Sequence, residues 1–146
     1  MRKIIISLML FCLFASASLA SHTAIIGGWR NGLAFGLAAY NRFADNAFWR
    51  AEVEASTGED LSFYGINPFI FSVGGAWKVG QTGYCPMYLG LGLTGESGDN
   101  TIGGGSLSLI FNNIYNQGPL SMELGIDYLN SKARLQLQFG YRIYDS

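Results

Sequence analysis

Two stretches near the end of the sequence alternate apolar and polar residues with a period of two. They cover residues 119–129 and 133–144, and the triplet "NSK" lies between them. Successive side chains of a β-strand point to opposite faces, so each stretch predicts a strand with one apolar and one polar face. The short link predicts an antiparallel hairpin. The apolar face must then pack on a protein core or face lipid.

The first 20 residues have the three parts of an export signal. Arg2 and Lys3 are basic, residues 4–14 are apolar, and "SLA" ends at Ala20 with small residues at a cleavage position. The apolar run of 11 residues is well short of the ~20 residues that a transmembrane helix needs. We therefore expect residues 1–20 to be a cleaved signal peptide and residues 21–146 to form one β-barrel domain outside the cytoplasm.

The composition of residues 21–146 excludes two classes of protein. Without Arg2 and Lys3, seven basic residues remain against ten acidic ones, a net charge of −3 with His22 neutral. A basic surface for nucleic acid is therefore not expected. Cys85 is the only cysteine in this part of the chain, so an internal disulfide scaffold is excluded as well.

The same alternation continues through the rest of the chain. Turn-forming segments such as "RNG" and "ADN" separate the alternating runs, and no stretch after residue 20 keeps a helical period. This spacing is typical of an all-β barrel or sandwich. The predicted strands cover residues 23–30, 33–43, 47–56, 66–79, 84–94, 103–111, 119–129 and 133–144.

The composition of the polar face indicates which face is inside. Charged residues make up 13 % of the chain, about half the usual fraction of a soluble domain, and the polar face is mostly Gly, Ser and Ala. Small residues with few charges suit the narrow interior of an eight-stranded membrane barrel, and aromatic residues near several strand ends suit an interfacial girdle. In the last hairpin we expect these side chains to face lipid: Leu120, Met122, Leu124, Leu135, Leu137 and Phe139.

Four basic and four acidic residues stand on the predicted interior face. Buried charges are tolerated when they are paired and hydrogen-bonded, so we expect an ion network in the lumen. The alternative is that these residues lie on solvated strand faces. The predicted network consists of Arg50, Lys78, Arg134 and Arg142 with Glu52, Glu54, Glu123 and Asp127.

Two segments resemble a known group of proteins. The ending "LQFGYRIY" resembles the terminal assembly signal of outer-membrane β-barrels, and "FIFSVGGAWKVG" with "YCPMYLGLGLTG" resembles the central hairpin of small eight-stranded outer-membrane proteins of the opacity and attachment-invasion type. Such chains usually end on an aromatic residue, whereas here Asp145 and Ser146 follow Tyr144. The resemblance implies an all-β, eight-stranded, antiparallel up-and-down transmembrane barrel.

The sequence offers few parts for catalysis. His22 is the only histidine, so no base is available within a strand for a hydrolase of the outer-membrane type. Glu52 and Glu54 share a strand face and could act as an acid–base pair, although nearby Arg50 favours a structural ion network. Cys85 has no residue to activate it. We therefore expect no enzyme, no catalytic residues, no metal site and no cofactor.

The functional expectation is a non-enzymatic outer-membrane barrel with a polar, largely plugged lumen that serves envelope integrity or surface interaction. Its expected partners are outer-membrane lipid, lipopolysaccharide and the barrel-assembly machinery, with no nucleic acid, and the protein is expected to be a monomer. The alternative is an exported soluble barrel that binds a small apolar ligand, as lipocalin-like and avidin-like proteins do. If the chain termini face the periplasm, the outer loops carry the acidic residues Glu59, Asp60, Glu96 and Asp99.

Overall fold

In the computed structural model the chain forms a closed barrel of eight antiparallel strands, each paired with its neighbours in sequence. The structure describes residues 22–58, 69–98, 100–112 and 119–145. β8 pairs with β1, which leaves the sheet without a free edge. The predicted all-β, eight-stranded, up-and-down antiparallel barrel is thus confirmed. No helix long and apolar enough to cross a membrane occurs in these ranges.

The strands agree closely with the predicted segments. β5 was expected to end at residue 94, but it continues to Ser97, because "GES" pairs with both β4 and β6 instead of forming a turn. The bounds are β1 (His22–Arg30), β2 (Leu33–Ala44), β3 (Ala47–Ser56), β4 (Phe69–Thr82), β5 (Cys85–Ser97), β6 (Thr101–Asn112), β7 (Leu120–Leu129) and β8 (Lys132–Asp145).

Two-residue turns join several of these strands. Asn31 and Gly32 connect β1 to β2 with φ of 53° and 109°, and Asn130 and Ser131 connect β7 to β8 with φ of 47° and 60°. Turns with positive φ at both central positions match the right-handed twist of a hairpin, and Asn and Gly tolerate that conformation. Local turn chemistry therefore helps to set the register of the first and last hairpins.

The up-and-down order divides the connections between the two ends of the barrel. The terminal end is where β1 begins and β8 ends, and it carries the connections after β2, β4 and β6. The distal end carries those after β1, β3, β5 and β7.

The alternation places large apolar side chains on the outside of the barrel. Among the described residues, 23 large hydrophobic side chains are exposed, and they come from seven of the eight strands and one turn. On β3 the outward Trp49 and Val53 are partly exposed. Of the six side chains expected to point outward from the last hairpin, Leu124, Leu135, Leu137 and Phe139 are exposed, while Leu120 and Met122 are partly exposed.

Candidate functional site in the barrel interior

The interior contains two layers of different chemistry. The ionic layer occupies the middle and distal part of the barrel, and the aromatic layer lies toward the terminal end. All six side chains of the ionic layer are buried. The ionic layer consists of Arg30, Arg50, Glu52, Glu54, Glu123 and Asp127.

Arg30 is the centre of the ionic layer. Its Nε and Nη2 donate to the two oxygens of Asp127 at 2.7 and 3.1 Å, which makes a bidentate pair. Its Nη1 donates to Glu54 Oε1 at 2.6 Å and to Glu52 Oε2 at 3.2 Å. A guanidinium group is well suited to such planar, multidentate contacts with carboxylates.

The same guanidinium ties together strands that are far apart around the barrel. Besides its carboxylate partners on β3 and β7, Nη2 donates to Ser72 Oγ on β4 at 2.6 Å and to Thr94 Oγ1 on β5 at 3.1 Å. One side chain of β1 thus bonds to four other strands across the lumen. Since all its N–H groups have acceptors, the buried charge is fully hydrogen-bonded.

Arg50 forms the second centre. Its Nη1 donates to Glu52 Oε1 at 3.1 Å and to Glu123 Oε2, and its Nη2 donates to Ser108 Oγ at 2.9 Å. Glu52 therefore bridges the two arginines through its two oxygens. The position opposite this guanidinium on β5 is Gly90, where an added Cβ would lie 3.2 Å from Arg50 Nη2. Small residues on this wall leave room for the long side chains from β1 and β3.

A chain of amide groups extends the ionic layer toward β8. Gln136 Nε2 donates to Gln138 Oε1, and Gln138 Nε2 donates to Glu54 Oε2. Both glutamines are 2 % exposed. Gln136 Oε1, at the far end of the chain, is a buried oxygen without a hydrogen-bond partner.

The aromatic layer fills the interior near the terminal end. The rings of Phe48 and Tyr88 meet edge to face with centroids 4.9 Å apart, and those of Tyr40 and Phe48 do so at 5.7 Å. The imidazole of His22 stacks on Tyr40 at 4.9 Å. Edge-to-face pairs of this kind are favourable beyond their area burial. A cavity of about 20 Å³ remains beside these rings, which is room for about one water molecule.

The ionic layer differs from the predicted ion network in its basic members. Arg50, Glu52, Glu54, Glu123 and Asp127 meet as expected, but Lys78, Arg134 and Arg142 do not join them. Lys78 is exposed, and its Nζ donates to Gln81 Oε1 at 3.2 Å near the terminal end. Arg142 is partly exposed and lines the small cavity of the aromatic layer.

The ion-pair partner of Arg134 is not the residue opposite it in the sheet. It lies opposite Asp127 in the β7–β8 register, but both oxygens of Asp127 already accept hydrogen bonds from Arg30. Its Nη1 donates instead to Glu96 Oε2 at 2.7 Å, at the distal end of the barrel. Among the described residues, the predicted balance of four cations against four anions is therefore corrected to two buried arginines against four buried carboxylates.

The acidic loop residues have a mixed outcome. Glu96 belongs to β5 rather than to a loop, and its Oε2 also accepts a hydrogen bond from Asn31 Nδ2 at 3.0 Å. Its carboxylate is thus partly buried between two strand ends instead of standing free in solvent. Glu59, Asp60 and Asp99 lie outside the described residues.

The described side chains form contacts of a structural kind. Glu52 and Glu54 both bond to Arg30, and the Cys85 thiol donates to the Asn112 carbonyl oxygen at 3.2 Å. No group of three or more His, Cys, Asp or Glu side chains within residues 22–58, 69–98, 100–112 and 119–145 is placed to hold a metal ion. What this arrangement can do chemically is fill the lumen and hold opposite walls together.

Arg30 is the member of the ionic layer that sequence reasoning missed. It directly precedes the Asn31–Gly32 turn, and the segment "RNG" was interpreted as a connection. The alternation along the strand could have identified it, because neighbouring residues point to opposite faces. Trp29 is exposed on the outside, and Arg30 next to it points inward. The even positions Ala24 and Ile26 of the same strand are also buried.

Comparison with known proteins gives no further identification: the chain matches no protein-family model, no curated protein and no solved structure.

Proposed function

We propose that this protein is a non-enzymatic outer-membrane β-barrel whose plugged interior serves envelope integrity or surface interaction. The single observation that carries the proposal is the polarity of the wall. The outward positions in the described strand registers hold no Asp, Glu, Lys or Arg, whereas six charged side chains are buried inside. A bilayer favours this arrangement, because lipid replaces water around the outer wall.

The dimensions of the wall support the same proposal. The strands contain 9 to 14 residues, and a tilted strand needs roughly 9–11 residues to span the hydrocarbon region. Exposed aromatic side chains lie near both ends of the barrel, where membrane interfaces would be. At the terminal end they are Phe43, Trp77, Tyr84 and Tyr141, and at the distal end Trp29, Phe35, Phe69 and Tyr128.

The alternative of a soluble barrel with an internal apolar ligand has less support. Ligand sites for small molecules are typically cavities of roughly 300–1,000 Å³, and the cavity beside the aromatic layer measures about 20 Å³. An apolar depression of about 750 Å³ does occur, but it lies on the outer wall between leucines of β5 to β8. This position suits contact with acyl chains better than enclosure of a ligand.

The location and partners follow from the proposal. An export signal at residues 1–20 would deliver the chain to the periplasm, and the barrel-assembly machinery would insert it into the outer membrane. Outer-membrane lipid and lipopolysaccharide would then surround the wall, and the distal connections would face the exterior. The filled lumen favours a structural or surface role over transport.

Cell fractionation tests this proposal. The full chain, expressed in a Gram-negative bacterium, should sediment with the outer membrane, resist extraction by alkaline carbonate, and migrate faster on gels when it is not boiled. Recovery as a detergent-free monomer from the periplasmic fraction would contradict the proposal and favour the soluble alternative.

A further inference from the structure

The ionic layer lacks the positive charge that four ionised carboxylates would need. Arg30 and Arg50 supply two charges, and all six residues are at most 6 % exposed. The other described basic residues lie elsewhere: Arg42, Lys78 and Lys132 are exposed, Arg134 bonds to Glu96, and Arg142 lines the cavity of the aromatic layer. Excess buried negative charge is strongly unfavourable, and crowded carboxylates relieve it by retaining a proton.

The hydrogen bonds of the four carboxylates distinguish Glu54 from the others. Both oxygens of Glu52 and of Asp127 accept from arginine, which cannot reverse its role as a donor. Glu123 Oε2 accepts from Arg50, and its Oε1 is a buried oxygen that has no hydrogen-bond partner. Glu54 Oε1 accepts from Arg30, but its Oε2 faces the side-chain amide of Gln138. An amide can turn over and present its oxygen, so this partner can accept a hydrogen bond as well as donate one.

The hydrogen-bonded chain that ends on Glu54 begins at Gln136, whose side-chain oxygen has no partner. With Glu54 ionised, the donors run from Gln136 to Gln138 to Glu54, and Gln136 Oε1 has no partner. With a proton on Glu54, the direction can reverse: the carboxyl O–H donates to Gln138 Oε1, and Gln138 Nε2 then donates to the oxygen of Gln136. Reversal thus gives Gln136 Oε1 a donor and leaves Gln136 Nε2 at the unpartnered end of the chain, so the two amides can serve either direction.

We propose that the barrel interior is a proton-binding site in which Glu54 holds one proton and the Gln136–Gln138 amide chain reverses to accept it. The proton comes from solvent and forms an O–H bond at Oε2, and no other covalent bond changes. Oε1 continues to accept from Arg30, so the central contact of the ionic layer is retained.

Charged and titratable side chains surround Glu54 from several strands. They are Arg30 on β1, Tyr40 on β2, Arg50 and Glu52 on β3, Glu96 on β5, Glu123 and Asp127 on β7, and Arg134 on β8, while β4 and β6 contribute the uncharged Ser72, Ser106 and Ser108.

Proton binding makes the stability of the barrel depend on pH with a defined sign. An unfolded glutamate loses its proton near pH ~4, so at neutral pH unfolding would release the proton that the folded state holds. The folded state then binds more protons than the unfolded state, and stability falls as pH rises toward neutrality. One proton corresponds to a tenfold change in the unfolding equilibrium constant per pH unit.

Infrared spectroscopy of the folded, full-length protein at pH 7 tests the proposal directly. We expect a carboxylic-acid C=O band that shifts in D₂O, is absent in Glu54→Gln, and remains in the control Glu96→Gln. Absence of the band from the wild-type protein, or its persistence in Glu54→Gln, would overturn the proposal. If Glu54→Gln does not fold, absence of the band from the wild-type protein still overturns the proposal, and the pH series below tests the predicted proton uptake.

A pH series of urea unfolding provides the second readout. The tenfold change per pH unit should be present in the wild-type protein and in Glu96→Gln and absent in Glu54→Gln. Equal slopes in all three proteins would contradict the assignment to Glu54. Both measurements concern the interior, so their outcome is independent of whether the outer wall contacts lipid or water.

Discussion

The outer wall and the interior of this barrel come from the same alternating strands but have opposite chemistry. On β7, Leu124 and Ile126 are exposed, while Glu123 and Asp127 beside them are buried and bonded to arginine. In a soluble barrel the charged residues would be the exposed ones. The comparison shows that a period-two pattern defines two faces, and that the chemistry of the polar face indicates which one is inside.

The interior should be sensitive to loss of Arg30 more than to any other single change that we consider. Arg30→Ala leaves Asp127 and Glu54 buried without their cation, and breaking a buried ion pair in this way costs roughly 3–5 kcal/mol. We expect a large fall in the temperature at which the folded, fast-migrating band is lost in detergent. Arg42→Ala, which removes an exposed basic residue, is the matched control, and equal effects of the two changes would show that the interior network does not stabilise the fold.

The outer wall should reject charge at its middle. Leu124→Arg places a cation at an outward position halfway along β7, which in a bilayer costs roughly 2–4 kcal/mol. Ala133→Arg adds the same cation on the outside near the distal end of β8, where the cost is ~0–1 kcal/mol. Urea unfolding in liposomes measures both. Equal stability of the two variants would contradict the claim that the outer wall contacts lipid.

The rim pair should matter less than the ionic layer. Arg134 and Glu96 have side-chain exposures of 21 % and 13 %, and pairs near water contribute about 1 kcal/mol or less. Arg134→Ala should therefore lower the same melting temperature by only a few degrees. A loss as large as that of Arg30→Ala would mean that the network extends to the rim.

The filled interior should also limit conduction. The buried arginines, glutamines and aromatic rings occupy the lumen along its length, and an interior of eight strands is only wide enough for side chains. Purified protein in planar bilayers should show no large, stable, porin-like open state. Steady conductance on the porin scale would replace the structural role with that of a pore.

Much of this architecture could be predicted from the sequence because alternation is a local property. The alternation of inward and outward positions along each strand places Glu52, Glu54, Glu123 and Asp127 on the inner face. Buried ion pairs join these residues to arginines, as expected. Parity does not give the height of a residue along the barrel axis. Lys78 has the inward parity of its strand, but it lies near the barrel end, where its amine reaches solvent.

The pairing inside the lumen could not be predicted because it depends on competition among long side chains. Arg30 donates hydrogen bonds to both carboxylate oxygens of Asp127. Arg134 therefore bonds to Glu96 instead. No pattern in one strand records this outcome. The extension of β5 to Ser97 has a similar cause, since its glycine-rich end is stabilised by partners on both sides.

The central claim, that the outer wall contacts lipid, is tested most directly with spin labels. A nitroxide attached through Leu124→Cys, in a Cys85→Ser background and reconstituted in liposomes, should collide readily with oxygen and rarely with a water-soluble nickel chelate. A label placed through Lys132→Cys, which is exposed at the distal end, should show the opposite preference. Free access of the nickel chelate to the label at position 124 would contradict the account.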